Sequence, residues 1–232
     1  MINIGDLTLE QISILQDKFN IIGADEVGYG SLSGSLVICG VKAPKDWALA
    51  GLNDSKKLSE KKRLVMGDKL AELILKNEIQ IHIAERSNKE IDSLGVAAAM
   101  KSCYVEIFHK LYCDKSLIII DGNLKFDNLG VDAYDKISVV KADSKFPAVM
   151  AASIIAKNYR DGQMKKWHDV FPQYNWNKNM GYGAKDHLDA IEKYGPCKLH
   201  RYSYAPMKNL SIEQRTKFSQ VSIGVGNRKD DI

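Results

Sequence analysis

Three apolar runs in this chain stop at carboxylates. Ile21-Ile22-Gly23-Ala24 leads into Asp25 and Glu26, Leu117-Ile118-Ile119-Ile120 leads into Asp121, and Ser138-Val139-Val140-Lys141-Ala142 leads into Asp143. Short apolar runs bounded by turn residues read as strands. In open α/β sheets, ligand sites gather at the carboxyl ends of strands. If these three strands are neighbours, their terminal carboxylates converge. Like charges held together oppose one another unless a cation intervenes. Four acids without a Cys/His cluster select a hard, oxygen-seeking metal such as Mg²⁺ or Mn²⁺. Two such ions about 3.5–4 Å apart can stabilise the attacking and leaving oxygens of an in-line phosphoryl displacement. Each acid also has an ordinary reading: Asp25-Glu26 as a solvated loop pair, Asp121-Gly122 as a turn, Asp143 as a helix-start residue. Residue type and spacing alone leave both readings open.

Geometry adds a constraint. Successive strand residues point to opposite faces, so Asp25 and Glu26 cannot both serve one site from a regular strand. The expectation is a strand that ends or kinks at Glu26. Gly28 and Gly30 would permit the bend and let the backbone approach a ligand closely.

The elements that must position these residues follow from periodicity and punctuation. A short helix is expected within 5–18, strands at 20–25 and 34–43, and a charged helix from Ser59 to about Lys76 with Ser59 as its cap. Glu78–Glu85 alternates like a half-buried strand, and Asn88–Cys113 reads as one helix. The uninterrupted run 116–121 is typical of a central strand covered on both faces. A strand is expected at 136–142, then a helix at 146–161 with Pro147 in its first turn, and an amphipathic helix at 184–194. Strands first, then helices between later strands, give an α/β fold with a mixed sheet.

The 232 residues suffice for a sizeable core. The net charge of +4 is mildly basic, compatible with nucleic acid but too weak to argue for it alone. Cys39, Cys103, Cys113 and Cys197 form no C-x-x-C pair, and three of them lie in apolar stretches. Buried thiols and a reducing compartment are the expectation. MINIGDLTLEQ lacks the layout of a signal peptide, and no window approaches the ~20 apolar residues of a membrane span.

Asp25-Glu26-Val27-Gly28-Tyr29-Gly30 resembles the D-E-x-G-R-G signature of the ribonuclease HII (type 2 ribonuclease H) family. Asp54-Ser55-Lys56-Lys57-Leu58 is similar to its D-S-K-K-L block, Glu90-Ile91-Asp92 to its E-I-D, and Asp121-Gly122-Asn123 to its D-G-N. Val139–Lys145, Ala151–Lys157, Gly181-Tyr182-Gly183 and His200–Lys208 resemble four further blocks, in order. The resemblance implies a ribonuclease H-like core, with a mixed five-stranded sheet flanked by helices, over residues 1–160. A helical C-terminal part, 161–232, would pack on it as a single compact unit. It implies metal-binding catalytic acids at Asp25, Glu26, Asp121 and Asp143, with Mg²⁺ or Mn²⁺ as cofactor. The implied reaction is metal-dependent hydrolysis of the RNA strand in RNA–DNA hybrids. Nicking of duplex DNA 5′ of an embedded ribonucleotide is implied as well, leaving 3′-hydroxyl and 5′-phosphate ends. Substrate contacts would come from the backbone of Gly28, Tyr29 and Gly30. The cations Lys56, Lys57, Lys157, Arg160, Arg201 and Lys208 would meet phosphates. Tyr182 would pack on the deoxyribose that follows the ribonucleotide.

The pattern departs from the family at Tyr29, which stands where an Arg or Lys is usual, at Ser31–Ser35, and at Ala142 in place of glycine. The cation's phosphate contact is lost at Tyr29, so junction preference becomes an open question. Two alternatives stand beside the enzyme reading: a non-catalytic nucleic-acid-binding relative, and a nuclease of the same fold with relaxed junction specificity. A cytoplasmic monomer without a sliding-clamp peptide in its tail completes the expectation. The five histidines receive no catalytic role from spacing.

Overall fold

The computed structural model describes residues 8–124 and 134–211. The tail after Gln220, where fraying and the lack of a clamp peptide were expected, lies outside the described residues.

Helix α1 (Leu9–Lys18) begins with a capping box in which Thr8 and Gln11 exchange side-chain and backbone hydrogen bonds. It is followed by β1 (Asn20–Val27), β2 (Leu36–Ala43), α2 (Glu60–Leu75), β3 (Gln80–Arg86), α3 (Asn88–Leu94) and α4 (Val96–Leu111). Then come β4 (Ser116–Asp121), β5 (Lys136–Val139), α5 (Pro147–Val170), α6 (Trp176–Asn179) and α7 (Lys185–Tyr194). The strands form one sheet in the order β3-β2-β1-β4-β5. β1, β2 and β3 run antiparallel, whereas β1, β4 and β5 run parallel. This is the expected mixed five-stranded sheet.

Strand alternation sorts the core into two layers. Ile22, Ala24, Ile38, Ile118 and Ile120 pack on Cys103, Tyr104, Ile107 and Phe108 of α4. Ile21, Val37, Val41 and Ile119 face Ala148, Val149 and Ala152 of α5, with Met66 and Leu70 of α2. Central strands buried on both faces read as continuous apolar runs, which is why β1 and β4 stand out in the sequence. At Gly23 an added Cβ would lie 2.3 Å from the Val149 nitrogen, so α5 rests directly on the β1 backbone. A third cluster, including Leu32, Met164, Tyr174, Trp176, Ile191 and Met207, builds the C-terminal part.

Several boundaries differ from the sequence expectation. β1 does not end at Glu26 but runs one residue further, pairing with β2 through Asp25↔Cys39, Glu26↔Ile38 and Val27↔Val37. β5 stops at Val139, because Lys141 adopts a left-handed φ of 59°, and Asp143 sits in the 3-10 turn Ala142–Ser144. The helix expected over 88–113 is two helices, separated at Gly95 with φ 80°. α5 continues past residue 161 to Val170, because its buried face runs on through Arg160 and Met164 into the third cluster. The domain boundary expected after residue 160 therefore falls inside a helix.

Candidate active site

β1 and β4 pair only as far as Ala24↔Ile120. Beyond that point β1 stays with β2, while β4 stays with β5 through Asp121↔Val139. The two central strands thus part at their carboxyl ends, and the acids line the fork. Alternation puts Asp25 and Asp121 on the α5 face and Glu26 on the α4 face. Glu26 still lies near enough to act on Asp25 and to be acted on by Asp121.

Electrostatics ties the four acids together. Asp25 is 6% exposed. Its carboxyl is pushed up to about 7, first by burial, then by Glu26, with Asp121 and Asp143 adding to the effect. Glu26 is raised by burial and by Asp121, against the opposing hydrogen bond from Tyr104. Asp143 is raised by burial, then by Asp121 and Asp54, against the pull of Lys56. Burial and like charge both disfavour ionisation, and a cation among the acids would reverse both effects.

Each acid has a support. The hydroxyl of fully buried Tyr104, on α4, donates to Glu26 Oε2 at 3.0 Å. Asp25 hydrogen-bonds Ser153 of α5, whose hydroxyl lies 2.7 Å from that of Ser55. Asp121 Oδ1 accepts from the Ala142 amide at 2.7 Å, which joins β4 to the turn that carries Asp143. Lys56 Nζ stands 3.7 Å from Asp143 Oδ2. Among the described residues no three acidic, His or Cys side chains already form a metal cage. The donor set nevertheless fits a hard divalent cation: every donor is a carboxylate oxygen, and the group carries excess negative charge.

Beside the fork runs the loop from Gly28 to Ser35. The Gly28 amide donates to Tyr182 Oη at 3.2 Å. The Tyr29 carbonyl accepts from Arg201 Nη1 at 2.9 Å and from Tyr204 Oη at 2.8 Å. Arg160 donates to the carbonyls of Ser35, Ser33 and Met180 at 2.9 Å each and to Ser31 Oγ at 2.7 Å. Arg201 Nε donates to the Gly34 carbonyl at 3.0 Å. Both arginines are fully buried, and burial lowers the pKa of each, that of Arg160 to about 10. This corrects the sequence reading: Arg160 and Arg201 hold the protein's own loop and are not presented to phosphates. Gly28 likewise serves the interior. It has φ +88°, and an added Cβ would lie 2.3 Å from Arg160 Nε, whereas around Gly30 the space is open.

The remaining predicted contacts fall into different settings. Lys56 and Lys57 are exposed on the 3-10 turn Ser55–Lys57, where Asp54 accepts the Lys56 amide at 2.8 Å. Lys157 lies in the interior of α5, not at its end, and its Nζ pairs with Asp161 at 2.8 Å. Lys208 is exposed on the short turn Met207–Asn209. The ring of half-buried Tyr182 lies 5.5 Å from the Arg160 guanidinium carbon. Tyr29 is 42% exposed. His187 and His200 form a buried pair, Nε2 to Nε2 at 3.2 Å. His187 Nδ1 donates to the Tyr182 carbonyl at 2.8 Å, so its Nε2 is free to accept the Trp176 indole N–H at 3.0 Å.

Tyr104, Ser153 and Tyr204 were not found by sequence reasoning. Ser153 and Tyr204 stood inside blocks read for resemblance, but nothing local distinguishes them. Tyr104 carries no signal beyond an aromatic on a buried helix face.

The chain matches the ribonuclease HII family over residues 22–207. It is 42% identical over 192 residues to the ribonuclease HII of Neisseria meningitidis serogroup B, covering 83% of this chain and 95% of that one. The ribonuclease H2 of Pyrococcus horikoshii OT3 superposes with a TM-score of 0.70 at 23% identity, covering 85% of this chain and 99% of that one. Bst-RNase HIII in complex with Mn²⁺ superposes with a TM-score of 0.65 at 18% identity, over 90% and 73% respectively.

Proposed function

The chain belongs to the ribonuclease HII family, the divalent-metal-dependent endoribonucleases of RNA–DNA hybrids, and from that premise we propose that Asp25, Glu26, Asp121 and Asp143 are its metal-holding catalytic acids. The observation that carries this reading is the fork between β1 and β4, where carboxylates from two strand ends and one following turn lie close enough that burial and like charge raise the pKa of Asp25, Glu26 and Asp143. Mg²⁺ or Mn²⁺ held there would supply Lewis-acid stabilisation of phosphate charge. The chain's own part is to hold and aim. Tyr104 fixes Glu26, Ser153 fixes Asp25, and the Ala142 amide fixes Asp121. The exposed cations Lys56, Lys57 and Lys208 suit phosphates of the backbone, which position a duplex without reading it. The backbone of the 28–30 loop and the ring of Tyr182 lie side by side through the Gly28–Tyr182 hydrogen bond, and together suit a sugar with its 2′-hydroxyl. The buried thiols of Cys39, Cys103 and Cys197 support a reducing compartment, in keeping with the cytoplasm. Among the described residues no helix is long and apolar enough to cross a membrane.

The test is Asn substitution at Asp121 and at Asp143. Each lowers Mg²⁺-dependent cleavage of an RNA–DNA hybrid on the order of 10³-fold, equivalent to ~4 kcal/mol of transition-state stabilisation. Folding and metal-free hybrid binding stay nearly unchanged. Full activity in both variants overturns the assignment.

Exposed Tyr29 favours a second reading, in which the junction preference is relaxed because no cation stands at this point of the loop. Comparing a duplex bearing one ribonucleotide with a continuous RNA–DNA hybrid tests it. Tyr29→Arg then shifts the ratio of kcat/KM values towards the single ribonucleotide, and an unchanged ratio removes the reading.

A further inference from the structure

The loop that carries Gly28, Tyr29 and Gly30 does not hold itself. Both donors to the Tyr29 carbonyl come from one segment, with Arg201 at one end and Tyr204 at the other. The two residues between them are clamped from the far side by one carboxylate. Asp92 Oδ2 accepts the Tyr202 amide at 2.8 Å, while Oδ1 accepts the Ser203 amide at 2.8 Å and the Ser203 hydroxyl at 2.6 Å. One turn earlier on α3, Asn88 Nδ2 donates to the carbonyls of Lys198 and His200 at 3.0 and 3.1 Å. The same stretch reaches the loop through its backbone as well: the Arg201 amide donates to the Leu32 carbonyl and the Gly34 amide to the Leu199 carbonyl, each at 2.9 Å. α3 therefore sits behind the 198–204 segment, and the loop sits in front of it.

We propose that Asp92 and Asn88, neither of them in the acid cluster, are positioning residues that set the 28–30 loop through the 198–204 segment and so govern how tightly substrate is held. A carboxylate that accepts two consecutive backbone N–H groups is a strong, charge-assisted clamp. Asp92 also favours the charged form of Arg201, so charge and geometry act on the same segment. An asparagine has the same shape but would turn an N–H group towards one of those amide donors. Asp92→Asn is therefore a change of clamp with almost no change of volume.

This inference rests on the proposed reading of the loop as a substrate contact, and the experiment separates the two. KM and kcat are measured with full-length protein, on an RNA–DNA hybrid and on a duplex bearing one ribonucleotide, alongside fluorescence anisotropy of the same duplexes in EDTA. Asp92→Asn raises KM about tenfold or more and weakens metal-free binding in parallel, while kcat falls far less. Ser203→Ala, which removes one hydroxyl and keeps both amide bonds, raises KM about threefold and guards against a folding failure of the first variant. Asp92→Asn combined with Tyr204→Phe is less than additive in KM, because both act through the Tyr29 carbonyl. A merely structural Asp92 would lower active protein and apparent kcat at unchanged KM, and that result overturns the proposal, as does simple additivity. A wild-type protein that neither binds nor cleaves either duplex overturns the functional reading instead. An active wild type with unchanged Asp92→Asn and Ser203→Ala overturns only the relay.

Discussion

The acid fork and the loop cradle both concentrate charge away from water, and they treat it in opposite ways. At the fork, carboxylates face carboxylates, and Asp25, Glu26 and Asp143 all resist ionisation. In the cradle, two fully buried guanidinium groups are consumed by the protein's own carbonyls and hydroxyls. Only Arg201 Nη2 there is buried without a hydrogen-bond partner among the described residues. The contrast separates charge that the fold leaves facing like charge from charge that the architecture has already used. Residue type alone does not reveal which is which.

The largest effect that could break this contrast is at Arg160. Arg160→Met removes the donor to the Ser35 and Met180 carbonyls and to the Ser31 hydroxyl oxygen, while the Ser33 carbonyl keeps the Ser31 hydroxyl. Unsatisfied buried partners cost about 1–3 kcal/mol each, so the loss is at least ~3 kcal/mol. At roughly 2–4 °C per kcal/mol for a chain of this size, Tm falls on the order of 10 °C. A melt followed by circular dichroism measures it. An unchanged Tm together with a shallower salt dependence of hybrid binding would make Arg160 a phosphate ligand after all.

Next in size is the response to pH, where the two regions have opposite signs. Asp25 rises from 3.8 to about 7, mainly through burial and Glu26. The folded state then favours the protonated acid, so its contribution to stability is full below pH 3.8 and is lost as pH rises through 7. His200 falls from 6.5 to about 3, mainly through burial, and His187 falls as well. Their contribution is full above pH 6.5 and is lost as pH falls towards 3. In EDTA the protein is squeezed from both sides, by a few kcal/mol at each end. Saturating Mg²⁺ removes the loss at the alkaline end and leaves the acidic end untouched. Tm measured against pH with and without Mg²⁺ tests this, and parallel curves would deny the fork its ion.

What the sequence made legible follows the same division. The strand ends were readable because central strands are apolar throughout, so a carboxylate at the end of one interrupts a strong pattern. The α/β class and the mixed sheet followed from the same runs. The strand end expected at Glu26 falls one residue later, and what the single strand did not show is that the acids gather where the β1–β4 pairing stops, since strand order is not a local property. The roles of Arg160 and Arg201 were invisible for a similar reason. Their acceptors lie 125 or more residues away for Ser31, Ser33 and Ser35, and 167 or more for Tyr29 and Gly34. A helix-borne arginine looks the same in sequence whether it meets a phosphate or a remote carbonyl.

Tyr104 sharpens the contrast at smaller cost, because it is a point where the interior supports the fork with a neutral group. Tyr104→Phe keeps the ring in its apolar layer and removes the bond to Glu26. Partners of this kind are worth about 10–100-fold in metal affinity or activity. The expected result is a Mg²⁺ requirement raised about tenfold, measured as the half-saturating concentration for cleavage, with little change in Tm. A lower Tm at an unchanged Mg²⁺ requirement would give Tyr104 to the core alone.

The smallest effect concerns the residue that stands between the two regimes. The Lys56 side chain is 77% exposed, yet its Nζ lies 3.7 Å from Asp143 Oδ2. Partial burial works against its charge, but Asp143, Asp25, Asp54 and Asp121 outweigh this and raise its pKa. A pair whose lysine is this exposed, and whose ions stand 3.7 Å apart, contributes little to folding, so Lys56→Ala leaves Tm nearly in place. If the ammonium also meets a backbone phosphate, the slope of log K against log salt for hybrid binding becomes shallower by about 0.9. Lys57→Ala on the same turn provides the parallel measurement away from Asp143. Should Lys57 change the slope and Lys56 not, the charge of Lys56 is already taken up by the fork, as that of Arg160 is by the loop. The line between used and available charge would then run between two adjacent lysines.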